Sequence, residues 1–178
     1  MRIRVLSMWQ PWASLLVGGL KRVETRSRHL HESLPAVLAI HATKVMRSDC
    51  LALCRTEPFC SALRECGYEI PDSGRVSPLP QGAILGLGLV TECVGAAAAV
   101  HSALRLGESL WDLSETAKRL QADPRERLFG DYRGTRWAFL FERVIRLAEP
   151  IHYSGSQCVQ WWDPPAEVWP LVERLREG

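Results

Sequence analysis

Residues 6–28 read LSMWQPWASLLVGGLKRVETRSR, and the order of side-chain types along them decides the fold. Just upstream and overlapping, RIRVLS over 2–7 alternates charged and apolar positions, the period of a half-buried strand. Pro11 suits a first helical turn, where its missing amide would have no partner, and WASLLVGGL predicts a short helix closed by Gly18 and Gly19. Val23 to Arg28 alternates again and predicts a second strand. The charged residues after the helix therefore occupy a helix-to-strand turn.

Working outward, AVLAIHAT at 36–43 is a short apolar run of buried-strand type. Lys44 to about Cys66 is helical in pattern with an interruption near Pro58, and YEIPDSGRVSPLPQG at 68–82 is a turn-rich connector. GAILGLGLVTECV at 82–94 predicts a strand whose three glycines mark a bend or a close backbone approach. Residues 96–128 are mixed, with a helix around Leu113 to Gln121 ending before Pro124. FGDYRGTR at 129–136 is a loop delivering WAFLFERVIRL, a strand with Trp137, Phe139 and Phe141 on one face. EPIHYSGSQCVQWW continues in extended form, and PAEVWPLVERLRE predicts a helix that Pro170 interrupts or re-nucleates. Strands with intervening helices but no regular βαβ rhythm predict an α+β fold, a mixed β-barrel with helices packed on its outside.

The 178 residues suit a single domain spanning 1–178 with a core of its own. Hydrophobic residues at 47% and charged residues at 24% are ordinary for a globular chain, which argues against disorder. A net charge of +2 excludes the strongly basic balance of a protein that coats DNA, so any nucleic-acid contact is a local patch. Only Lys21, Lys44 and Lys118 are lysines, so arginine, with its planar two-pronged fork, carries the positive charge. Gln10 and Pro11 break the apolar amino-terminal run, which argues against a signal peptide, and no window reaches the roughly 18 apolar residues of a membrane span. An intracellular protein, cytoplasmic or nuclear, with no membrane partner is expected. Cys50, Cys54, Cys60 and Cys66 are spaced C-x3-C-x5-C-x5-C, unlike the paired C-x2-C of common zinc sites; with Cys93 and Cys158 they are read as reduced thiols. No metal and no cofactor are expected.

The motif G-x-K-x-x-E-x-R, present as Gly19, Lys21, Glu24 and Arg26, together with LSMWQPWASLLVGGLKRVETRSR, closely resembles the opening of the ASCH domain. The opening fits the ASCH domain of the activating signal cointegrator particularly well. The likeness continues through AIHATK at 39–44, GAILGLGLVTEC at 82–93 and RWAFLFERVIRLAEPI at 136–151, and is weakest in an insert at about 96–128. The resemblance implies a PUA-like β-barrel with the first helix beside a central cleft, and binding of RNA or other nucleic acid. The resemblance also brings in an alternative, because a small branch of the family, similar to this chain around the lysine, hydrolyses acetylated cytidine with a lysine, a threonine and a glutamate.

Several residues are candidates for the site. Glu24 and Arg26 share a strand face, so Lys21, Glu24 and Arg26 make a polar cleft in which Lys21 and Arg26 meet phosphate or a base edge while Glu24 orients them. The plainer alternative is a salt bridge that closes the corner. Trp9 or Trp12 can stack on a base while Gln10 bonds its edge, with Trp9 expected nearer the cleft; the alternative for each tryptophan is core packing. His41 and Lys44 follow a buried strand and are candidates for the cleft rim. His29 and His31 read as solvated loop residues, and Trp161 and Trp162 as core or lid. Tyr132, Arg133 and Arg136 combine an aromatic with cations just before Trp137 and are candidates to form one basic rim with Arg22, Arg26 and Arg28, the alternative being an exposed turn whose charges contact only water.

The expected function is binding of nucleic acid, RNA or single-stranded DNA, with protein partners and a coregulator role as further possibilities of the resemblance. The alternative is a small hydrolase acting on RNA or a modified nucleoside of the acetylcytidine kind, with Lys21 and Glu24 catalytic. A lysine nucleophile would need its pKa lowered from about 10.4 by burial or a second cation. Glu24, however, stands at the position of the branch's threonine.

Overall fold

The computed structural model describes residues 2–71, 79–104, 113–155 and 160–177. Its elements in chain order are β1 (Ile3–Met8), α1 (Trp12–Val17), β2 (Val23–Arg26), β3 (Ala36–Ala42), α2 (Ser48–Leu53), α3 (Phe59–Glu65) and β4 (Ala83–Gly95), then α4 (Ala96–Leu104), α5 (Glu115–Ala122), α6 (Pro124–Leu128), β5 (Trp137–His152) and β6 (Gln160–Trp162). A 3-10 turn, Ala166–Val168, leads into α7 (Trp169–Glu177). The strands are ordered β2-β5-β4-β3-β1-β6 in a mixed sheet. β1 pairs with β3 in parallel and with β6 antiparallel, and β2 pairs antiparallel with β5. The α+β class expected from the pattern is the one found.

The chain forms two compact units, Met1–Leu20 with Val37–Leu89 and Arg143–Gly178, and Lys21–Ala36 with Val90–Glu142. In the first unit the core joins Ile3 and Val5 of β1 to Ala39, Ile84, Leu87 and Leu147, and to Val172 and Leu175 of α7. α1 ends as its glycines dictate. Gly19, at φ 79°, takes a left-handed conformation that other residues enter at a cost, and the amides of Gly19 and Leu20 reach back to Leu16 O at 3.0 Å and Leu15 O at 3.1 Å. In β4, a Cβ on Gly86 would stand 2.5 Å from the Ile145 carbonyl and 2.9 Å from Val17 Cγ1. That is the close backbone approach the glycine-rich strand predicts.

In the second unit, Val23, Ala138 and Leu140 pack against Ala96, Ala99 and Ala103 of α4 and Ala117 and Leu120 of α5. α4 is a departure from the sequence reading. Its AAAAV start, composed of the residue with the greatest helix propensity, forms a helix directly after β4, where only mixed structure was expected. Pro124 does not merely end α5. Asp123 accepts the Arg125 amide at 3.0 Å, and Pro124 opens α6 as its first residue. β5 takes in EPIH, and because residues 138–141 are buried in succession, the expected alternation of Trp137, Phe139 and Phe141 does not separate a wet face from a dry one. Pro170 lies in the first turn of α7, re-nucleating the helix after the 3-10 turn. Residues 72–78 of the connector, 105–112 of the insert and 156–159 with Cys158 lie outside the described residues.

Candidate nucleic-acid interface

The G-x-K-x-x-E-x-R motif enters the second unit at Lys21, whose side chain is wholly buried. Its ammonium donates to the Val23 carbonyl and stands 3.3 Å from Glu24 Oε2, while Glu24 Oε1 lies 3.2 Å from Arg26 Nε. Exposure of the three side chains rises from 0% to 12% to 31%, so the charges run outward in the order Lys21, Glu24, Arg26. Strand alternation turns Val23 and Thr25 to the other face, where Val23 joins the unit's core. In the β2–β5 register, Arg26 is directly opposite Trp137 and Glu24 opposite Phe139. Arg26 therefore shares a sheet face with a half-buried indole. The exposed His29 ring meets that indole edge-on at 4.5 Å.

What fixes this corner is Glu126, a residue not singled out from the sequence. Its carboxylate is wholly buried and accepts the amides of Arg22 at 2.8 Å and Val23 at 3.0 Å, with Arg119 Nε 3.6 Å away. The Arg22 carbonyl accepts the Phe141 amide at 2.8 Å, and its guanidinium donates to Glu142 O at 2.9 Å. Burial, with Arg119 as a neighbouring cation, pulls the Arg22 pKa below its usual value. The sequence carried a hint, since DPRE places an acid in the first turn of a proline-started helix. That pattern ordinarily serves the helix's own amides rather than a turn 103 and 104 residues away.

Several expected contacts are corrected by burial. Lys21 is sealed inside and bonded to protein groups, so it does not meet phosphate directly. Tyr132 is buried, with its hydroxyl 3.3 Å from the Glu126 carbonyl and its phenol pKa pushed up chiefly by desolvation. It offers no face to a base. Gln10 is also buried: its amide nitrogen donates to Pro80 O at 2.7 Å and its oxygen accepts the Ser14 amide at 3.1 Å, so it caps α1 instead of reading a base. His41 is buried on β3, bonded to Ser7 Oγ at 2.9 Å and packed edge-on against Tyr153, so it is not a rim residue.

Other candidates do lie at the surface. Arg133 and Arg136 both pair with Asp131, at 2.8 Å and 3.1 Å, and hydrogen bonds from Arg133 hold that carboxyl at a pKa of about 2. The loop keeps a net charge of one cation. Trp9, 47% exposed, and Lys44 are surface residues of the first unit, as is Trp161, whereas Trp162 is core. Among the described residues no three His, Cys, Asp or Glu side chains are grouped as a metal site. Cys50 and Cys54 are buried thiols whose pKa values are pushed up to about 11, mainly by desolvation. No described helix is long and apolar enough to cross a membrane.

The ASCH domain family model matches residues 6–127, more than half of the chain, and the chain belongs to that family. The match spans the opening at 6–28 and the stretches at 39–44 and 82–93 that carry the resemblance, and ends before 136–151. Among solved structures, an ASCH protein from Zymomonas mobilis is similar at 20% identity, with 96% of this chain and 93% of that one covered and a TM-score of 0.46. A tyrosine-to-phenylalanine variant of that protein gives 21%, 97%, 98% and 0.47, and a serine-to-alanine variant 22%, 96%, 94% and 0.45. Among curated proteins none matches.

Proposed function

We propose that this ASCH domain binds nucleic acid, RNA or another single strand, and that the G-x-K-x-x-E-x-R motif supports the contact surface from within. The observation that carries this reading is the register of the β2–β5 ladder, which sets Arg26 opposite Trp137 and so puts a cation and an indole on one sheet face. The first suits a phosphate and the second a base. Arg133 and Arg136 on the preceding loop, and the exposed His29 against Trp137, add donors around the same strand end. Lys21 and Glu24 hold Arg26 from behind. The likeness of the opening to the cointegrator's domain supports a coregulator setting for such binding.

Titration of a labelled single-stranded RNA at low salt tests the reading. Wild type binds; Trp137→Ala weakens binding by the roughly 1–3 kcal/mol that stacking of one base supplies. Arg26→Gln weakens it for every sequence alike. A chain that binds no strand at low salt contradicts the proposal. The hydrolase alternative draws less support from the geometry, because the Lys21 ammonium is committed to a carbonyl and a carboxylate and Glu24 replaces the threonine. Deacetylation of acetylated cytidine that disappears in Lys21→Ala would favour it instead.

A further inference from the structure

We propose that Trp9 and Arg47 form a latched base slot. In it, the indole face covered by the Arg47 guanidinium receives an unstacked base of a single strand, and Asp49 holds the guanidinium in place until a phosphate draws it away. This rests on the nucleic-acid reading above and adds to it two residues, Arg47 and Asp49, and an order of events.

Trp9 follows β1 with nearly half of its surface exposed, an unusual place for the largest aromatic side chain. The Arg47 guanidinium carbon sits 4.6 Å from the centroid of its ring. Arg47 in turn makes two parallel bonds to one carboxylate, Nε to Asp49 Oδ1 at 3.0 Å and Nη2 to Oδ2 at 2.9 Å. Both partners of that pair are more than half exposed, so water competes for each of them and the pair opens at little cost. A phosphate presents the same two-oxygen edge to the fork and carries more charge than a carboxylate. Lys44 and Val45, exposed in the segment leading to Arg47, supply a second cation and an apolar neighbour.

The physical exchange is a like-for-like replacement. A flat cation covers a π-face, and a flat base can take its place while the cation moves to the phosphate beside that base. Stacking of a base on an aromatic ring changes affinity by roughly five- to hundredfold, more than a solvated cation over the same ring contributes. Asp49 therefore sets how readily the face opens.

Anisotropy titrations with two strands of about twelve nucleotides, one single-stranded RNA and one abasic strand of equal length and charge, separate stacking from charge. The measured quantity is the ratio of the two affinities. Trp9→Ala is expected to lower that ratio about fivefold or more, and Trp9→Phe to lower it less. Asp49→Asn is expected to raise the ratio. Asp163→Asn, the same charge change at another exposed position, raises both affinities and leaves the ratio alone. If both strands bind with the expected salt dependence and Trp9→Ala leaves the ratio unchanged, the slot is overturned and the nucleic-acid reading stands. A ratio that Asp49→Asn fails to raise overturns the latch. If neither strand binds, both the slot and the reading it rests on fall.

Discussion

Two buried titratable side chains carry most of the consequences at the residue scale. Glu126 holds the amides of Arg22 and Val23, and Glu126→Gln leaves one good acceptor where two charged bonds stood. We expect the substitution to cost about 1–3 kcal/mol, a drop in Tm of several degrees in a thermal melt; an unchanged Tm would show that the corner does not depend on this carboxylate. His41 is the second case. Burial lowers its pKa, partly opposed by a backbone hydrogen bond with Tyr153, so the folded chain resists a proton that the unfolded chain accepts. Stability from this residue is complete above the unfolded value of about 6.5 and declines as pH falls from there towards the folded value, with a slope of at most about 1.4 kcal/mol per pH unit. Denaturant titrations at several pH values should show that decline in wild type and a shallower one in His41→Gln.

Among elements, local chemistry explains what could be read in advance. β1, α1, β2 and β3 fall within a residue or two of their expected limits because alternation, Pro11 and the Gly18-Gly19 pair act locally. The two helices on either side of Pro58 follow for the same reason. α4 was missed because an alanine run carries no amphipathic contrast, and its helix is defined by propensity and by packing of Ala96, Ala99 and Ala103. The site was legible only as a motif. Which members are buried depends on Glu126, far away in sequence, and on the register that sets Arg26 against Trp137; neither has a local signature. Likewise Gln10, read as a base contact, is taken up by the α1 start and Pro80. Gly86 gives a test at this scale: Gly86→Ala forces a methyl group against a carbonyl and Val17, and should destabilise the chain by about 1–3 kcal/mol in urea, without loss of binding per folded molecule. A neutral or stabilising result would mean that β4 and β5 do not approach as closely as described.

For the molecule as a whole, a net charge of +2 leaves little long-range attraction for a polyanion. On the proposed reading, binding comes from a few arginines that share a face with aromatic rings, so affinity should be modest and fall with salt by about 0.7 in log–log slope per contact. The interior supports this economy: Lys21 and Glu24 hold one guanidinium at the surface, and Asp131 offsets part of the loop's charge. The most direct measurement is the salt dependence of single-stranded RNA binding in wild type and in Arg26→Gln, with melting curves showing both folded. The account predicts that log K falls linearly with log salt and that the slope of the variant is smaller by about one contact, roughly 0.7. Equal slopes, or no binding at low salt, would contradict it.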